Sequence, residues 1–373
     1  MKVFDPYDIW SSSALGRIKQ GWYDGNVLAG IFLRLVALFD CSMPVLLRNA
    51  LKTDKHFFPH VEALGVLSLL DKSNSGYKQR VLSKLRSSVT TSGGWGLPFV
   101  WYSKNGRYDS NTPYVTNTPY VMEALLELAK DYSVREDAMI MFNSTWGFLE
   151  SLKVIIDTDD VLALSYAPVD EPRIVVNANS YAAFSYALHA MKGRKKVESI
   201  AHEKVLRLTR YVVCQQNADG SWPYYADQEA GNFIDGFHSC FVVKNLLKVG
   251  GLLPDCKQLV NCAVDKGWLF IQNNLFDSAK GLCRRFVKRS HRDLFKWDLY
   301  DQAEYLGLLV DFGLLEEASC FSERVERLFR KDIHWYCRID VFGRRWGRDF
   351  LRWGIAPFQY HQARLRQALE ARL

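Results

Sequence analysis

Apolar residues recur at three- and four-residue spacing through most of the chain, and these runs predict helices separated by long polar or glycine-rich interruptions. Helical periodicity extends from about Val27 to Leu51, from Phe57 to Leu70 and, on a more polar segment, from Tyr77 to about Val89. It resumes at Thr118, where Pro119 is pre-set for a first turn and Val121, Leu125, Leu126 and Leu128 follow at helical spacing. Further helices are predicted from about Val134 to Leu152, after the capping residues Asn177, Asn179 and Ser180, and from Lys195 to Gln216. The last ones follow Asp235, run from Cys256 to Leu275, follow Asp298, and span Leu315 to Phe329 and Pro357 to Leu369.

The interruptions are themselves regular. Gly94, Asp157, Gly220 and Gly281 mark equivalent points about 60 residues apart, each after two helices, which is the sign of a repeat architecture. Short strand-like alternation inside them predicts hairpins, for example between Ser92 and Thr118. About six such units fill 373 residues. Both chain ends are apolar-faced, so closure into an all-α (α/α)6-type toroid is expected, with about six helical hairpins forming one domain over residues 1–373, in preference to an open solenoid with polar caps. In such a ring the long loops emerge at one end, and the helix N-termini at Thr118, Asn179, Asp235, Asp298 and near Arg352 line that end. Unpaired N–H groups and partial positive charge there suit an anionic ligand.

Composition adds to this picture. Aromatic residues make up 14% of the chain, with 11 Trp and 18 Tyr, which fits a groove that stacks on ring-shaped ligands as well as an aromatic helical core. The formal net charge of +7 is concentrated in two groups: Arg284, Arg285, Lys288, Arg289 and Arg292, and Arg338, Arg344, Arg345, Arg348 and Arg352. Guanidinium forks fit carboxylate or phosphate. The motifs of nucleic-acid modules are absent, so no nucleic acid is expected. Eight cysteines occur singly, the usage of reduced core thiols, and the N-terminus MKVFDPYDIW lacks the order of a signal peptide. The apolar segment Val27 to Leu47 is interrupted by Arg34, Asp40 and Pro44 and is too short to span a bilayer. A cytoplasmic protein with no transmembrane segment is expected, with peripheral membrane contact left open. His56 and His60 have i,i+4 spacing with Pro59 between them and no evident third ligand, so no metal is expected. Without a P-loop or GxGxxG motif, no cofactor is expected either.

Two resemblances follow from particular motifs. QQNADGSW, Gln215 to Trp222, resembles the QW repeat of squalene-hopene cyclases and prenyltransferase-like toroids, which implies that Gln216 and Trp222 brace adjacent hairpins. DTDD, Asp157 to Asp160, is similar to the acidic motif of class II terpene cyclases, which implies Asp159 as a proton donor. Across nearly the whole chain, GGWG with TPYV, SYAPVDEPRIVVNAN, DGSWPYY with IDGFHS, FDSAKG, DLYDQAEYLGLL and FLRWGIAPF resemble VpsJ-type polysaccharide-biosynthesis proteins. That resemblance implies an α/α toroid with a role in capsule, exopolysaccharide or O-antigen synthesis. Val176 and Tyr300 stand where that family has histidine.

His238 lies one helical turn beyond Asp235, so a general acid or base oriented by a carboxylate is the leading catalytic candidate. Tyr166, Tyr224 and Tyr300 are candidate proton donors. Arg173, Arg344 and Arg352 are candidate anion clamps, with Asn177, Tyr225 and Asp298 at neighbouring mouth positions. Trp95 and Trp101 are candidates for stacking on sugar rings. Hydrolysis requires two carboxylates across the bond, for which Asp235 with Asp298 or Asp301 is the available choice. The expected activity is modification of an anionic sugar or lipid-linked glycan by proton abstraction, as in an epimerase or lyase. The alternatives are a terpenoid cyclase using DTDD and a non-catalytic glycan-binding scaffold.

Overall fold

The computed structural model describes residues 2–69, 75–287 and 294–372. After a short helical turn at Asp8–Ser11, the chain forms α1 (Ser13–Tyr23), α2 (Val27–Ser42) and α3 (Pro44–Ala50). It then alternates between α4 (Pro59–Leu69), α5 (Ser75–Ser88), α6 (Thr118–Leu128), α7 (Arg135–Ser151), α8 (Val176–Lys192), α9 (Lys195–Cys214) and α10 (Gly236–Leu252). The last four helices are α11 (Pro254–Phe270), α12 (Leu299–Asp311), α13 (Leu315–Phe329) and α14 (Ala356–Glu370).

The even-numbered helices from α4 to α14 pack each on the next, and α14 returns to α4, so that six inner helices close a ring. The odd-numbered helices α5 to α13 lie outside them, α9 against α8 and α11 against α10. Sequence explains the two layers. On α9, Val197, Ala201, Val205, Leu208 and Val212 bury one stripe and leave a charged outer face. On α8, every residue from Val176 to Ala190 is buried, and its small Ala, Ser and Asn side chains let neighbours approach on all sides. The expected all-α toroid is therefore present.

One expectation about it is corrected. The first helices do not supply a hairpin of the ring. The predicted helix from Val27 to Leu51 breaks at Met43–Pro44 into α2 and α3, and α1 to α3 lie on the loop end, with α1 against β1 and α2 against β10. Buried ion pairs anchor this segment. Arg48 pairs with Asp8 at 2.9 Å and with Asp40, and Arg352, just before α14, forks onto Asp5.

Each long connection from an outer to an inner helix emerges at the same end, and most carry a short hairpin. These hairpins are β1 (Trp101–Ser103) with β2 (Gly106–Tyr108), β3 (Val154–Asp157) with β4 (Leu162–Leu164), and β5 (Phe276–Asp277) with β6 (Leu282–Cys283). β7 (Trp297–Asp298) and β8 (Arg330–Lys331) both pair with β9 (His334–Ile339), which also pairs with β10 (Arg345–Arg348). Two loops share one brace. The Trp95 indole donates to Leu85 O at 3.0 Å and the Trp222 indole to Val212 O at 2.9 Å, ten residues back in each case. Gly93 and Gly220 precede these tryptophans with φ of 94° and 90°, and a Cβ at either would strike the neighbouring outer helix, at Ser144 O or Lys266 O. Gln216 donates to Gly220 O and, at 2.9 Å, to Ala263 O of α11, the bracing role expected of it.

The ring axis is polar. Lys244 Nζ on α10 donates to Glu304 on α12 at 2.6 Å and to the Tyr120 hydroxyl on α6 at 2.9 Å, and Tyr120 shares a 2.7 Å hydrogen bond with Tyr181 on α8. His361 on α14 lies 3.8 Å from Glu304, and the His60 ring on α4 packs 4.2 Å from Tyr120. Side chains from five inner helices thus form a single buried polar network, against which the His60 ring packs with neither nitrogen hydrogen-bonded. Burial alone would raise the Glu304 carboxyl, but Lys244 and His361 hold it down at about 2.

Replacing Glu304 by Gln leaves the Lys244 ammonium buried without its counter-charge, a loss of about 3–5 kcal/mol expected in denaturant unfolding. Because the folded pKa of Glu304 lies below its ordinary 4.5, the stability it contributes is fully present above pH 4.5 and is lost as pH falls toward 2. The acid limb of stability against pH should therefore be steeper in the parent protein than in E304Q.

Candidate functional site

The first turns of α8, α10 and α12 line a cavity of about 360 Å³ at the loop end. Its wall includes Asn177 from α8, His238 and Phe241 from α10, Tyr300 from α12 and Trp353 just before α14. The loops add Trp101, Tyr166, Tyr224, Tyr225 and Arg285, and the N-terminal segment adds Tyr7, Trp22 and Tyr23. Larger grooves of about 970 and 820 Å³ lie elsewhere on the surface. The smaller cavity is the candidate because titratable and aromatic side chains converge there.

His238 is held by the residue that starts its helix. Asp235 caps α10 by accepting the His238 backbone N–H at 3.2 Å, and the same carboxylate meets His238 Nδ1 at 2.8 and 2.9 Å. Nδ1 is thereby assigned as the protonated nitrogen, and the other ring nitrogen is left to act. The ring sits 4.6 Å from Tyr224 and 4.0 Å from Phe237, with about 20% of the side chain exposed toward the cavity. Burial pulls its pKa below the ordinary 6.5 despite the opposing pull of Asp235, so the imidazole is neutral near pH 7. Burial would raise the Asp235 carboxyl, but His238 and Arg285 hold it below its usual range.

Arg285 is the second charged feature. Its guanidinium lies 3.9 Å over the Phe237 ring, 3.5 Å from Asp235 and 3.7 Å from Asp301, and Nη1 has no hydrogen-bond partner. Burial opposes its charge, but Asp235, Asp301 and Asp298 raise its pKa further. Asp301 is itself pushed well up by burial, with Asp298 and Asp235 adding to the shift. Arg285 thus sits over carboxylates that are not all ionised, and Asp298 also pairs with Arg338 at 3.3 Å.

The phenols are donors rather than bases. Burial raises the pKa of Tyr166, Tyr224 and Tyr300, so all stay protonated at neutral pH. Tyr166 shares a 2.6 Å hydrogen bond with Thr116. Tyr300 is stacked on Trp353 at 5.2 Å and 19°. That stack depends on Gly354, whose φ is 92° and where a Cβ would lie 2.8 Å from Leu299 Cβ and from Tyr300 N. Asn177 Oδ1 is buried without a partner at the cavity wall.

Eight of the residues singled out from sequence line this cavity: His238, Tyr166, Tyr224, Tyr300, Asn177, Trp101, Tyr225 and Arg352. Asp235 and Asp298 lie directly behind it. Asp298 caps α12 at Tyr300 N and accepts the Trp353 indole N–H at 2.9 Å. Other expectations are corrected. Trp95 is fully buried as a loop brace and has no face to offer a ligand. Arg344 lies outside the cavity, in a separate groove beside Met43 and Val45. The Arg173 fork is filled by Asp227, with Nε to Oδ2 at 2.7 Å, and the Arg352 fork by Asp5, so neither is an open clamp. Arg352 also precedes α14 in a widened turn rather than starting it, and α8 begins at Val176 rather than Asn179, whose side chain bonds Leu164. Asp235, Asp298 and Asp301 are all buried beneath the floor, so they do not flank a bond as hydrolysis requires.

DTDD is exposed on a hairpin turn beside α9, where Asp157 pairs with Arg207 and Asp160 approaches Arg210 at 3.9 Å. It heads no core helix and faces no apolar cavity, which removes the basis for a cyclase. Lys288, Arg289 and Arg292 lie outside the described residues. Arg285 was visible in sequence only as part of a basic run, and Tyr7, Trp22 and Tyr23 carried no signal because they precede Val27, where the first helix was expected.

No protein-family model and no curated protein matches the chain. Among solved structures, the fold is similar to D-mannose isomerase, with 14% identity, a TM-score of 0.60, and coverage of 84% of this chain and 87% of that one. It is also similar to a sugar epimerase from a ruminal bacterium, with 11% identity, a TM-score of 0.58, and coverage of 86% and 90%. A family 105 glycoside hydrolase from C. acetobutylicum ATCC 824 gives 11% identity and a TM-score of 0.58 over 83% and 94%. At these identities the likeness establishes the toroid fold.

The His238 ring, followed by NMR, is expected to titrate below 6.5. Asp235 opposes that shift, so Asp235→Asn should move the titration further toward acid. A rise in the D235N variant would show that the carboxylate does not control this imidazole.

Proposed function

We propose that the cavity binds an anionic sugar and moves a proton on the carbon next to its carboxylate, giving epimerisation or elimination. The observation that carries this reading is the cavity wall itself. Among the described residues it presents a neutral imidazole, Arg285 and Lys104, and several phenols, with Arg352 already paired to Asp5, and no Asp or Glu side chain. A wall of this kind suits a carboxylate-bearing ligand and a histidine base, and does not supply the carboxylate pair of a hydrolase.

In this reading the free nitrogen of His238 takes the proton from the carbon next to the carboxylate. The electron pair left behind moves onto the carboxylate oxygens, where the Arg285 guanidinium at the cavity wall supplies compensating positive charge. For epimerisation, a phenol returns a proton to the opposite face of that carbon, and the resulting phenolate recovers a proton from the imidazolium through solvent. For elimination, the electron pair instead expels the oxygen substituent on the adjacent carbon, and the phenol protonates it as it leaves. Tyr166 is assigned the donor role in epimerisation, Tyr224, on the same side as His238, the donor role in elimination, and Tyr300 and Asn177 orient the sugar. Trp101 provides a ring face against which a pyranose stacks, while the Tyr225 ring is covered by the Arg173 guanidinium at 3.7 Å.

Support from outside the site is of two kinds. Two of the similar folds belong to proteins described as a sugar epimerase and a D-mannose isomerase, which is a fold-level analogy. The motifs shared with VpsJ-type proteins favour a glycan of capsule, exopolysaccharide or O-antigen synthesis, made in the cytoplasm.

Uronic-acid oligosaccharides incubated in D₂O should gain deuterium next to the carboxylate, read by NMR or mass spectrometry. His238→Ala should lower that exchange by about 10²- to 10⁴-fold while the melting temperature stays nearly constant. Arg285→Gln should weaken binding as well as turnover. Unaltered exchange in H238A, or incorporation of ¹⁸O from water at a released reducing end, would exclude the proposal.

A further inference from the structure

The outer surface of α2 and α3 is unlike the rest of the molecule. Leu28, Ile31, Phe32, Leu35 and Leu38 form one solvent-facing stripe of α2, with Leu28 76% and Leu35 61% exposed. At the elbow and along α3, Met43, Val45 and Leu46 continue it. A run of this length on a single face exceeds the scattered apolar residues of an ordinary surface.

Exposed charge on α2 and α3 themselves is basic. From Val27 to Ala50 the only acidic residue is Asp40, which is buried and paired with Arg48. Arg34 lies at the edge of the stripe and is exposed. The β9–β10 hairpin brings Arg344, Arg345 and Arg348 into the groove with Met43, Val45 and Leu46, and its tip residue Phe342 is 73% exposed.

We propose that this face seats on an anionic lipid surface, with the apolar stripe in the acyl–headgroup boundary and the arginines among the headgroups. An apolar helix face bordered by cations is the sequence and surface signature of interfacial binding. No single helix here is long and apolar enough to span. α2 has 16 residues, about 24 Å of rise against a hydrocarbon core of about 30 Å, and α3 turns away from it at 119°. A second copy fits less well, because a two-fold contact on this stripe would bring Arg34 and the Arg344 group against the same charges.

The position matters for the cavity. Trp22, which ends α1, packs against Gly30 of α2 so closely that a Cβ there would lie 2.7 Å from the indole, and the same Trp22 lines the cavity mouth. A membrane on α2 therefore borders the mouth, which places an amphiphilic, lipid-linked substrate within its reach. Membrane seating does not depend on the sugar chemistry proposed above, because it is read without turnover.

The test is flotation of the full chain with phosphatidylcholine vesicles, with and without phosphatidylglycerol, at low and high salt. Binding to the phosphatidylglycerol vesicles is expected, weakened by salt and reduced about tenfold or more in Leu28→Glu/Leu35→Glu. Circular dichroism and melting of that variant should match the parent, since both positions face solvent. Absence of flotation, or equal flotation of the double variant, overturns the proposal. A parent dimer that the same substitutions dissociate, with no vesicle binding, overturns it in favour of a second copy.

Discussion

Five of the six inner helices meet at one buried polar network, and the arrangement of everything above it depends on that meeting. Tyr120, Tyr181, Lys244, Glu304 and His361 come one from each of these helices, with the Lys244–Glu304 pair at the centre. A buried ammonium and carboxylate at 2.6 Å tolerate little displacement, because either one left unpaired is costly. The pair therefore fixes how α10 and α12 are turned about their axes, and with them the first turns that carry His238 and Tyr300.

From that constraint the cavity follows. Asp235 and Asp298 are helix caps, so the residues that begin α10 and α12 also hold His238 and the Tyr300–Trp353 stack. The same carboxylates lie below the floor, where they orient the imidazole and keep Arg285 charged while remaining out of reach of a ligand. Among the described residues, Asp235 and Asp298 hold His238 and Trp353 from behind, and no acid side chain lines the cavity. This separation is why the wall reads as cationic and phenolic although the loops that build it contain several aspartates.

The sequence revealed the ring through spacing, because the outer helices must be amphipathic and the loops between them recur after each pair. The Gln216–Trp222 brace was visible through its resemblance to a QW repeat, while the equivalent brace at Gly93–Trp95 was not, because Trp95 was expected to stack on a sugar. The N-terminal helices misled, since the apolar face of α2 has the periodicity of a buried hairpin helix while in fact much of it faces outward. Periodicity reports that one face is apolar and does not say what covers it.

Local chemistry was thus set by the order of residues: helix starts, caps, the Asp235–His238 pair and the turn glycines. What only the tertiary structure decided was which of many arginines and tyrosines meet. Arg173 and Arg352 met carboxylates that fill their forks, Arg344 was carried away beside α3, and Arg285 came to rest over Phe237 beside His238. The physical reason is that charge pairing and cavity access depend on residues tens to hundreds of positions apart, as with Asp5 and Arg352, and no local pattern encodes those meetings.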